Sequence, residues 1–320
     1  MNKQRSIRSA VLAIAALCAG VPPSSAQPSR QSVRDLAEKY GFPDVFIRGE
    51  QVTLKSPYAT MVLAGSTRRM TFNSMLIWMN DTLTRNDGAW TVSQCDAEKV
   101  MDPLLRPRRT ARRADDVAMV VLDPGHGGDD SGAVGFRKLY EKKAVLDIAK
   151  RVKKMLHEAG VTAVLTREKD VAIPLAMRSS VAKSAGADLF VSIHLNSSPS
   201  RGACGLETYA LTCAGYTSTT PGRSDLRPCP GNRFDAENML LAYLIHRGLI
   251  AHAEMADRGI KRARFDVLQE APCPAALVEC GFVSSAGEAS RLIRDDFRDA
   301  LAEGITAGIT TYVGLTRRGS

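Results

Sequence analysis

Apolar runs and amphipathic stretches alternate along the second half of the chain. Residues 117–122 (VAMVVL) form a continuous apolar run, which predicts a strand buried on both faces. Residues 141–159 place apolar side chains on one stripe at helical spacing, and Gly160 follows as a helix terminator. Further strands are predicted at 161–165, 188–193, 206–211, near Val267 and at 275–278, and further helices at 175–185, at 235–255 and twice near the end of the chain. This βαβ pattern predicts an α/β fold, with a twisted, largely parallel sheet and helices on both of its faces.

The first half of the chain has a different pattern, in which short strands are separated by turns. Residues 45–54 and 59–64 alternate or run apolar, and Asp87-Gly88 marks a turn. Residues 107–116 carry many charges without apolar periodicity, which predicts a solvated linker. We therefore expect three segments: a small α+β N-terminal domain at 27–106, a charged linker at 107–116 and a larger domain at 117–316.

The extreme N-terminus has the pattern of an export signal. Three basic residues precede an apolar run at 10–20, and small residues at 24–26 precede Gln27. This arrangement predicts a signal peptide at residues 1–26, because the apolar run is too short to span a membrane. We therefore expect an exported protein of the periplasm or the extracellular cell-wall space, with no stable membrane span. A lipoprotein attached through Cys18 and an uncleaved N-terminal anchor are the alternatives.

Charge and cysteine content add little to this interpretation. Removal of the signal peptide takes away three positive charges and no negative ones, so the formal net charge falls from +9 to +6. A mild basic excess suits an anionic polymer, and the absence of a nucleic-acid motif makes nucleic acid an unexpected partner. None of the remaining six cysteines has Cys-x-x-Cys spacing. Cys204, Cys213 and Cys229 are disulfide candidates, and Cys280 is expected to be a buried free thiol.

Three polar side chains that could take part in catalysis or metal binding lie just beyond the carboxyl ends of predicted strands: His126, His194 and Glu279. In open α/β sheets ligands bind at the carboxyl ends of the strands, so these three could converge in one crevice. The glycines around His126 could instead form a phosphate cradle, but the lysine of a Walker motif is absent. The other histidines lie on helices away from that edge and are not expected to be metal ligands: His157, His246 and His252.

Glu141 sharpens the hypothesis of a metal site. It lies in the first turn of its predicted helix, at helical spacing from Val145 and Ile148, so its carboxylate is on the inward apolar stripe. A buried carboxylate is costly unless a positive group meets it, and a metal ion would do so. Two imidazoles and one carboxylate are a common catalytic zinc set that leaves a position for water. Glu279 then remains as the general base for that water.

Four motifs, in this order, resemble the zinc-dependent N-acetylmuramoyl-L-alanine amidase family: Asp-Pro-Gly-His-Gly-Gly at 123–128, Glu141 at the start of the next helix, Ser-Ile-His-Leu-Asn at 192–196 and Val-Glu-Cys-Gly-Phe at 278–282. The resemblance covers roughly residues 117–314. Because four motifs recur in order, it is specific, and it implies roles for individual residues.

The resemblance implies a set of ligands for one Zn²⁺ ion per chain: His126, Glu141 and His194. It implies Glu279 as the catalytic glutamate and places Asn196 close to the substrate. Arg178 also fits the family pattern, without an assigned role.

The implied activity is hydrolysis of the amide bond between N-acetylmuramic acid and L-alanine in peptidoglycan, during cell-wall remodelling, daughter-cell separation or turnover. A zinc peptidase acting on the stem peptide and a non-catalytic wall-binding module are the two alternatives. Peptidoglycan is the expected partner, an activator protein stays unidentified, and the N-terminal domain is a candidate for wall binding or positioning. Residues 212–233 are too rich in Gly and Pro for the inhibitory helix of some family members, so we expect a surface loop there.

Overall fold

The computed structural model describes residues 29–111, 119–200, 202–220 and 226–317. The predicted signal peptide and residues 112–116 of the predicted linker lie outside the described residues. Within the described ranges, no helix combines the length and the apolar character needed to cross a bilayer.

The N-terminal part consists of short antiparallel strands and short helices. Its strands are β1 (Arg30–Ser32), β2 (Asp44–Arg48), β3 (Gln51–Lys55), β4 (Thr60–Ala64), β5 (Arg69–Phe72), β6 (Met75–Trp78), β7 (Thr84–Asn86) and β8 (Ala89–Ser93). Its helices are α1 (Val33–Tyr40), α2 (Gln94–Asp96), α3 (Asp102–Leu105) and α4 (Pro107–Thr110), with a π-helical turn at Ala97–Met101. Strands β2 to β6 form an antiparallel meander, whereas β1, β8 and β7 form a separate small sheet. The turn at Asp87-Gly88 joins β7 to β8, as the sequence predicts.

The second part is a mixed, largely parallel sheet with helices. Its strands are β9 (Met119–Pro124), β10 (Thr162–Leu165), β11 (Leu189–Asn196), β12 (Leu206–Leu211), β13 (Asp257–Ala263) and β14 (Ala275–Phe282). Its helices are α5 (Glu141–Glu158), α6 (Leu175–Ser184), α7 (Asp235–Ala253), α8 (Asp266–Gln269), α9 (Ala286–Leu292) and α10 (Asp295–Thr316), with 3-10 turns at Phe136–Lys138 and Pro230–Phe234. Strands β10, β9, β11 and β14 are parallel neighbours, and only β12 runs antiparallel to β14 within this part of the described sheet. The predicted fold class is confirmed.

Helices cover both faces of this sheet because each presents an apolar surface. On α5, Val145 and Ile148 are fully buried at the spacing the sequence predicts, and Gly160 follows the helix at φ 72°, a conformation that suits glycine. Helix α7 is apolar on nearly all sides because it lies between the sheet and α10, where Gly248 and Gly304 allow a close approach. Helices α6 and α8 pack into a second apolar cluster with the sheet.

One predicted strand is wrong. Val267 lies in the short helix α8, and the strand of this region is β13, Asp257–Ala263. Charged residues dominate the sequence of β13, so no apolar pattern marks it. Arg262 of this strand is fully buried. Its guanidinium tolerates burial because it donates to backbone carbonyls, including that of Leu211.

The two parts of the chain share one sheet of eleven strands, ordered β10-β9-β11-β14-β12-β13-β6-β5-β4-β3-β2. Strand β6 pairs with β13 through Ile77 and Ile260. Next to this pair, Leu76 N donates to Asp257 Oδ2 at 3.0 Å. Buried side chains of both parts also belong to one apolar core. The predicted domain boundaries stay a prediction, and the contacts between the two parts are more extensive than a solvated linker suggests.

Candidate metal centre

The turn that carries His126 follows β9 and has an unusual backbone. His126 lies at φ 59°, in the left-handed region that residues with a side chain rarely adopt. Gly127 and Gly128 continue the turn at φ 130° and 59°, and Gly127 N donates to Asp130 O. The turn therefore folds back at the carboxyl end of β9, next to the end of β11.

The three predicted metal ligands converge beside this turn. Glu141, the first residue of α5, has its Oε1 3.1 Å from His126 Nε2 and 3.0 Å from His194 Nδ1. One ligand atom from each residue lies within 4.8 Å of the other two, and the imidazole rings meet edge to face with centroids 5.1 Å apart. The structure therefore brings together one side chain from a turn, one from a helix and one from a strand.

Neighbouring groups orient the ligand atoms. His126 Nδ1 is 2.8 Å from Asp130 Oδ2, which leaves Nε2 directed at Glu141. Such a carboxylate on the far nitrogen commonly fixes the ring of a metal-binding histidine. The Glu141 carboxylate accepts from Leu195 N at 3.0 Å and from Ala133 N at 2.8 Å. These contacts fix two of the three side chains before any ion is considered.

The electrostatics of the cluster favour a cation. Burial alone would raise the pKa of Glu141, but hydrogen bonds from His126 and His194 outweigh it and hold that pKa well below its usual value. The hydrogen bond with Glu141 in turn raises the pKa of His126, against the effect of burial. A buried carboxylate that keeps its charge between two imidazoles matches the ligand set that zinc takes in catalytic sites.

Two glycines make room for the ligands. A methyl group on Gly132 would lie 2.7 Å from both Glu141 Oε2 and His126 Cδ2, and one on Gly125 would overlap the His194 ring. Any side chain at either position would displace a predicted ligand. The residues present therefore fit a zinc ion in both their chemistry and the space around them.

Glu279 belongs to the same cavity. This cavity of about 610 Å³ is lined by His126, His194 and Glu279, and Leu175 and Phe265 are among its apolar walls. The Oε2 atom of Glu279 is buried without a hydrogen-bond partner among the described residues. Burial, and then the charge of the nearby carboxylates, raises the pKa of Glu279 well above its usual value. An unpaired carboxyl group of this kind can exchange protons with a bound molecule.

The comparison with known proteins agrees with this geometry. The profile of the family described as N-acetylmuramoyl-L-alanine amidase matches residues 120–311. The chain belongs to the N-acetylmuramoyl-L-alanine amidase family. All three predicted ligands and Glu279 lie inside the matched residues.

Relatives of this amidase-family chain include proteins of known sequence and of solved structure. The N-acetylmuramoyl-L-alanine amidase AmiC of Escherichia coli is 34% identical over 253 residues, which cover 70% of this chain and 61% of that relative. LytC of Bacillus subtilis is 38% identical over 193 residues, which cover 60% of this chain and 35% of that relative. The solved catalytic domain of CwlV from Bacillus (Paenibacillus) polymyxa var. colistinus is 36% identical with a TM-score of 0.53, covering 62% of this chain and 99% of that one. The chain thus spans less than two thirds of the length of the first two relatives.

Asn196 has a less direct position in this amidase-family site. Its Nδ2 donates to Glu207 Oε2 at 3.0 Å, and Glu207 is buried and also accepts from Tyr209 and Lys261. Glu207 is the register partner of Glu279 on the adjacent strand. Asn196 therefore belongs to a polar cluster beside the cavity, and its contact with substrate stays a prediction.

Two aspartates of the site are absent from the sequence-based set. Asp130 orients the His126 ring. In the sequence, the only indication of this role is that an aspartate follows His126 by four residues in the same turn. Asp123 is fully buried beneath the turn, where it accepts from the hydroxyl groups of Thr166 and Ser192. Its signal is an acidic residue that ends an apolar strand, which is costly unless polar partners surround it.

The other histidines and the cysteines lie outside the centre. His157 is exposed, and the buried His246 lies within hydrogen-bond distance of Thr208 and Asp257. Cys280 is a buried free thiol, as predicted. The three disulfide candidates are also free thiols in the structure: Cys204, Cys213 and Cys229.

Proposed function

We propose that this chain is an exported, zinc-dependent enzyme that hydrolyses the amide bond between N-acetylmuramic acid and L-alanine in peptidoglycan. The observation that carries the proposal is a cluster of two histidines and one glutamate, whose histidines line the same cavity as Glu279, a residue with one buried and unpartnered carboxyl oxygen among the described residues. The family match and the names of AmiC and LytC support the same substrate. The place of action would be the periplasm or the cell-wall space.

His126, Glu141 and His194 would hold one zinc ion per chain. When bound, zinc supplies Lewis-acid chemistry, since it polarises a carbonyl group and lowers the pKa of water. Asp130 keeps the His126 ring oriented, and the amides of Ala133 and Leu195 keep the Glu141 carboxylate in place.

Glu279 is the proposed general base. It takes a proton from the attacking water at its carboxylate and delivers this proton to the nitrogen of the leaving L-alanine. Burial and the nearby carboxylates raise its pKa, so Glu279 holds the proton at neutral pH more readily than an exposed glutamate does. Leu175, Phe265 and Val267 form apolar walls of the cavity that would border the bound substrate.

Digestion of purified sacculi tests the proposal. The zinc-loaded protein should release stem peptides with a free N-terminal L-alanine and leave glycan strands with unsubstituted lactyl groups, both detected by mass spectrometry. Cleavage within the stem peptide would instead identify a zinc peptidase. Binding to sacculi without soluble products would identify a wall-binding module. Glu279→Gln is the matched control, because it keeps the shape of the side chain and removes the base.

A further inference from the structure

Two buried arginines hold the backbone that carries the predicted metal ligands. Arg178, on α6, donates through Nη1 to Asp123 Oδ1 at 2.8 Å and to Pro124 O at 2.9 Å. Its Nη2 donates to His126 O at 3.0 Å. The ion pair with Asp123 offsets the cost of burying the guanidinium. Arg178 therefore contacts both the end of β9 and the main chain of the ligand itself.

Arg167, just after β10, connects the same turn to α5. Its Nε donates to Pro124 O at 3.0 Å, and its Nη2 donates to Gly125 O at 2.7 Å and to Lys142 O at 2.8 Å. Lys142 is the residue after Glu141. One guanidinium thus bridges the main chains of two segments that carry predicted ligands.

The surroundings of Arg167 are unusual for a packing residue. It is only 2% exposed, and within the described residues its hydrogen bonds go to backbone carbonyls. Burial, and then the charge of Arg178, lowers the pKa of its guanidinium. A buried cation without a paired carboxylate costs stability compared with an apolar side chain of similar volume. Arg167 instead fixes the positions of the backbone carbonyls that accept from it, because its planar guanidinium group holds five donors in a rigid arrangement.

That geometry matters because the turn is strained. His126 lies at φ 59°, and such a conformation persists only when the surrounding structure over-determines it. The carbonyls of Pro124, Gly125 and His126 all accept from the two guanidinium groups. We propose that Arg167 and Arg178 are positioning residues that hold the metal ligands in their binding arrangement before zinc arrives, an inference that rests on the proposed function.

Lysine substitutions test this role, since one ammonium group keeps the charge but cannot span several carbonyls. Arg167→Lys and Arg178→Lys should each weaken zinc binding at least about tenfold in competition with a chromogenic chelator. The visible spectrum of the Co²⁺-substituted protein should change as well. Arg262→Lys is the matched control. Arg262 is also fully buried and donates to backbone carbonyls, at Trp78 and Leu211 near the β6–β13 junction, so its loss should lower stability and leave zinc affinity unchanged.

Unchanged zinc affinity in folded Arg167→Lys and Arg178→Lys would overturn the proposal, and so would an equal loss in Arg262→Lys. If the first two variants do not fold, hydrogen exchange in the wild-type protein replaces them. The Gly127 amide, bonded to Asp130 O, should be protected equally with and without zinc. Rapid exchange in the zinc-free protein alone would show that the metal orders the turn and overturn the proposal. A wild-type protein that binds zinc without hydrolysing the amide refutes only the proposed function, and one that binds no zinc refutes both.

Discussion

His194 and Glu279 are register partners on the neighbouring parallel strands β11 and β14. Neighbouring strands lie about 4.8 Å apart, and partners in register direct their side chains to the same face. A predicted ligand and the predicted general base therefore reach one cavity from adjacent strands. Sheet hydrogen bonding, rather than loop conformation, sets the distance between them.

Glu279→Gln should separate chemistry from metal binding. We expect this variant to fold and to keep zinc, because Glu279 lies outside the ligand cluster. Loss of a general base typically costs about 10²–10⁴-fold, so amide hydrolysis should fall by at least that order. Metal analysis and initial rates on purified muropeptides check both parts. If Glu279→Gln loses zinc while Glu141→Gln retains it, the two glutamates have exchanged roles.

The same variant should be more stable than the wild type in the zinc-free form at neutral pH. Burial raises the pKa of Glu279 above its ordinary value of 4.5. Below that value the carboxyl group is protonated in both the folded and the unfolded chain, so glutamate and glutamine behave alike. Above it, the unfolded chain releases the proton at a lower pH than the folded chain does, which lowers the stability of the wild type. Thermal unfolding across this pH range should show a gain for Glu279→Gln that disappears on acidification. A gain that grows on acidification would contradict the burial argument.

The zinc content should be one ion per chain. His126→Ala and His194→Ala should each lose it, because each removes one of three protein ligands. A strong chelator should abolish hydrolysis by the wild type, and added zinc should restore it. His246→Ala is the control, since that histidine is buried against Thr208 and Asp257, outside the cluster. Stoichiometric zinc in both ligand variants would remove this site from consideration.

Gly132→Ala should damage the metal centre through space alone. The added methyl group would lie 2.7 Å from both Glu141 Oε2 and His126 Cδ2, so a ligand must move. Gly160→Ala is the control, because Gly160 has a similar backbone conformation, with φ at 72° compared with 62° for Gly132. A methyl group on Gly160 would contact nothing within 4 Å. Both variants should lose about 1–2 kcal/mol of stability from the left-handed conformation. Only Gly132→Ala should lose zinc affinity, and an equal loss in Gly160→Ala would refute the steric explanation.

The elements with a clear apolar period follow directly from the sequence. The run that ends at Leu122 and the stripe around Ile148 predict a strand and a helix of the observed type. Strand β13 could not be predicted, because Arg258, Lys261 and Arg262 have partners that are remote in the chain. Periodicity describes local burial and says nothing about such distant partners.

The candidate site also has a part that the sequence predicts and a part that it does not. His126, His194 and Glu279 could be placed together because each comes after an apolar run that predicts a strand, and the carboxyl ends of parallel strands meet at one edge. The positioning contacts of Arg167 and Arg178 could not be predicted. They depend on carbonyl directions within a strained turn, which a residue pattern does not encode.

A chain cut within the linker tests how the two parts are joined. With a protease site introduced at residues 112–116, the cleaved protein should stay associated and unfold in one transition, because β6 pairs with β13 and the core is shared. A shortened protein that begins at Asp115 should be less stable than the full chain. Size-exclusion chromatography and thermal unfolding of both proteins check this. Separation of the cleaved pieces without denaturant would show that the linker joins independent domains.

The pairing of β6 with β13 also bears on the order of folding and on aggregation. Strands β2 to β6 follow one another in the chain, so their meander forms from local contacts, whereas the contact of Leu76 with Asp257 spans 181 residues. An unpaired strand edge is a template on which another chain can add. In the folded protein β6, the last strand of the meander, pairs with β13 and covers that edge of it. The N-terminal part thereby moves the open edge of the described sheet from β13 to β2, a largely exposed strand, so any intermolecular strand pairing on this side is expected at β2 and not at β13.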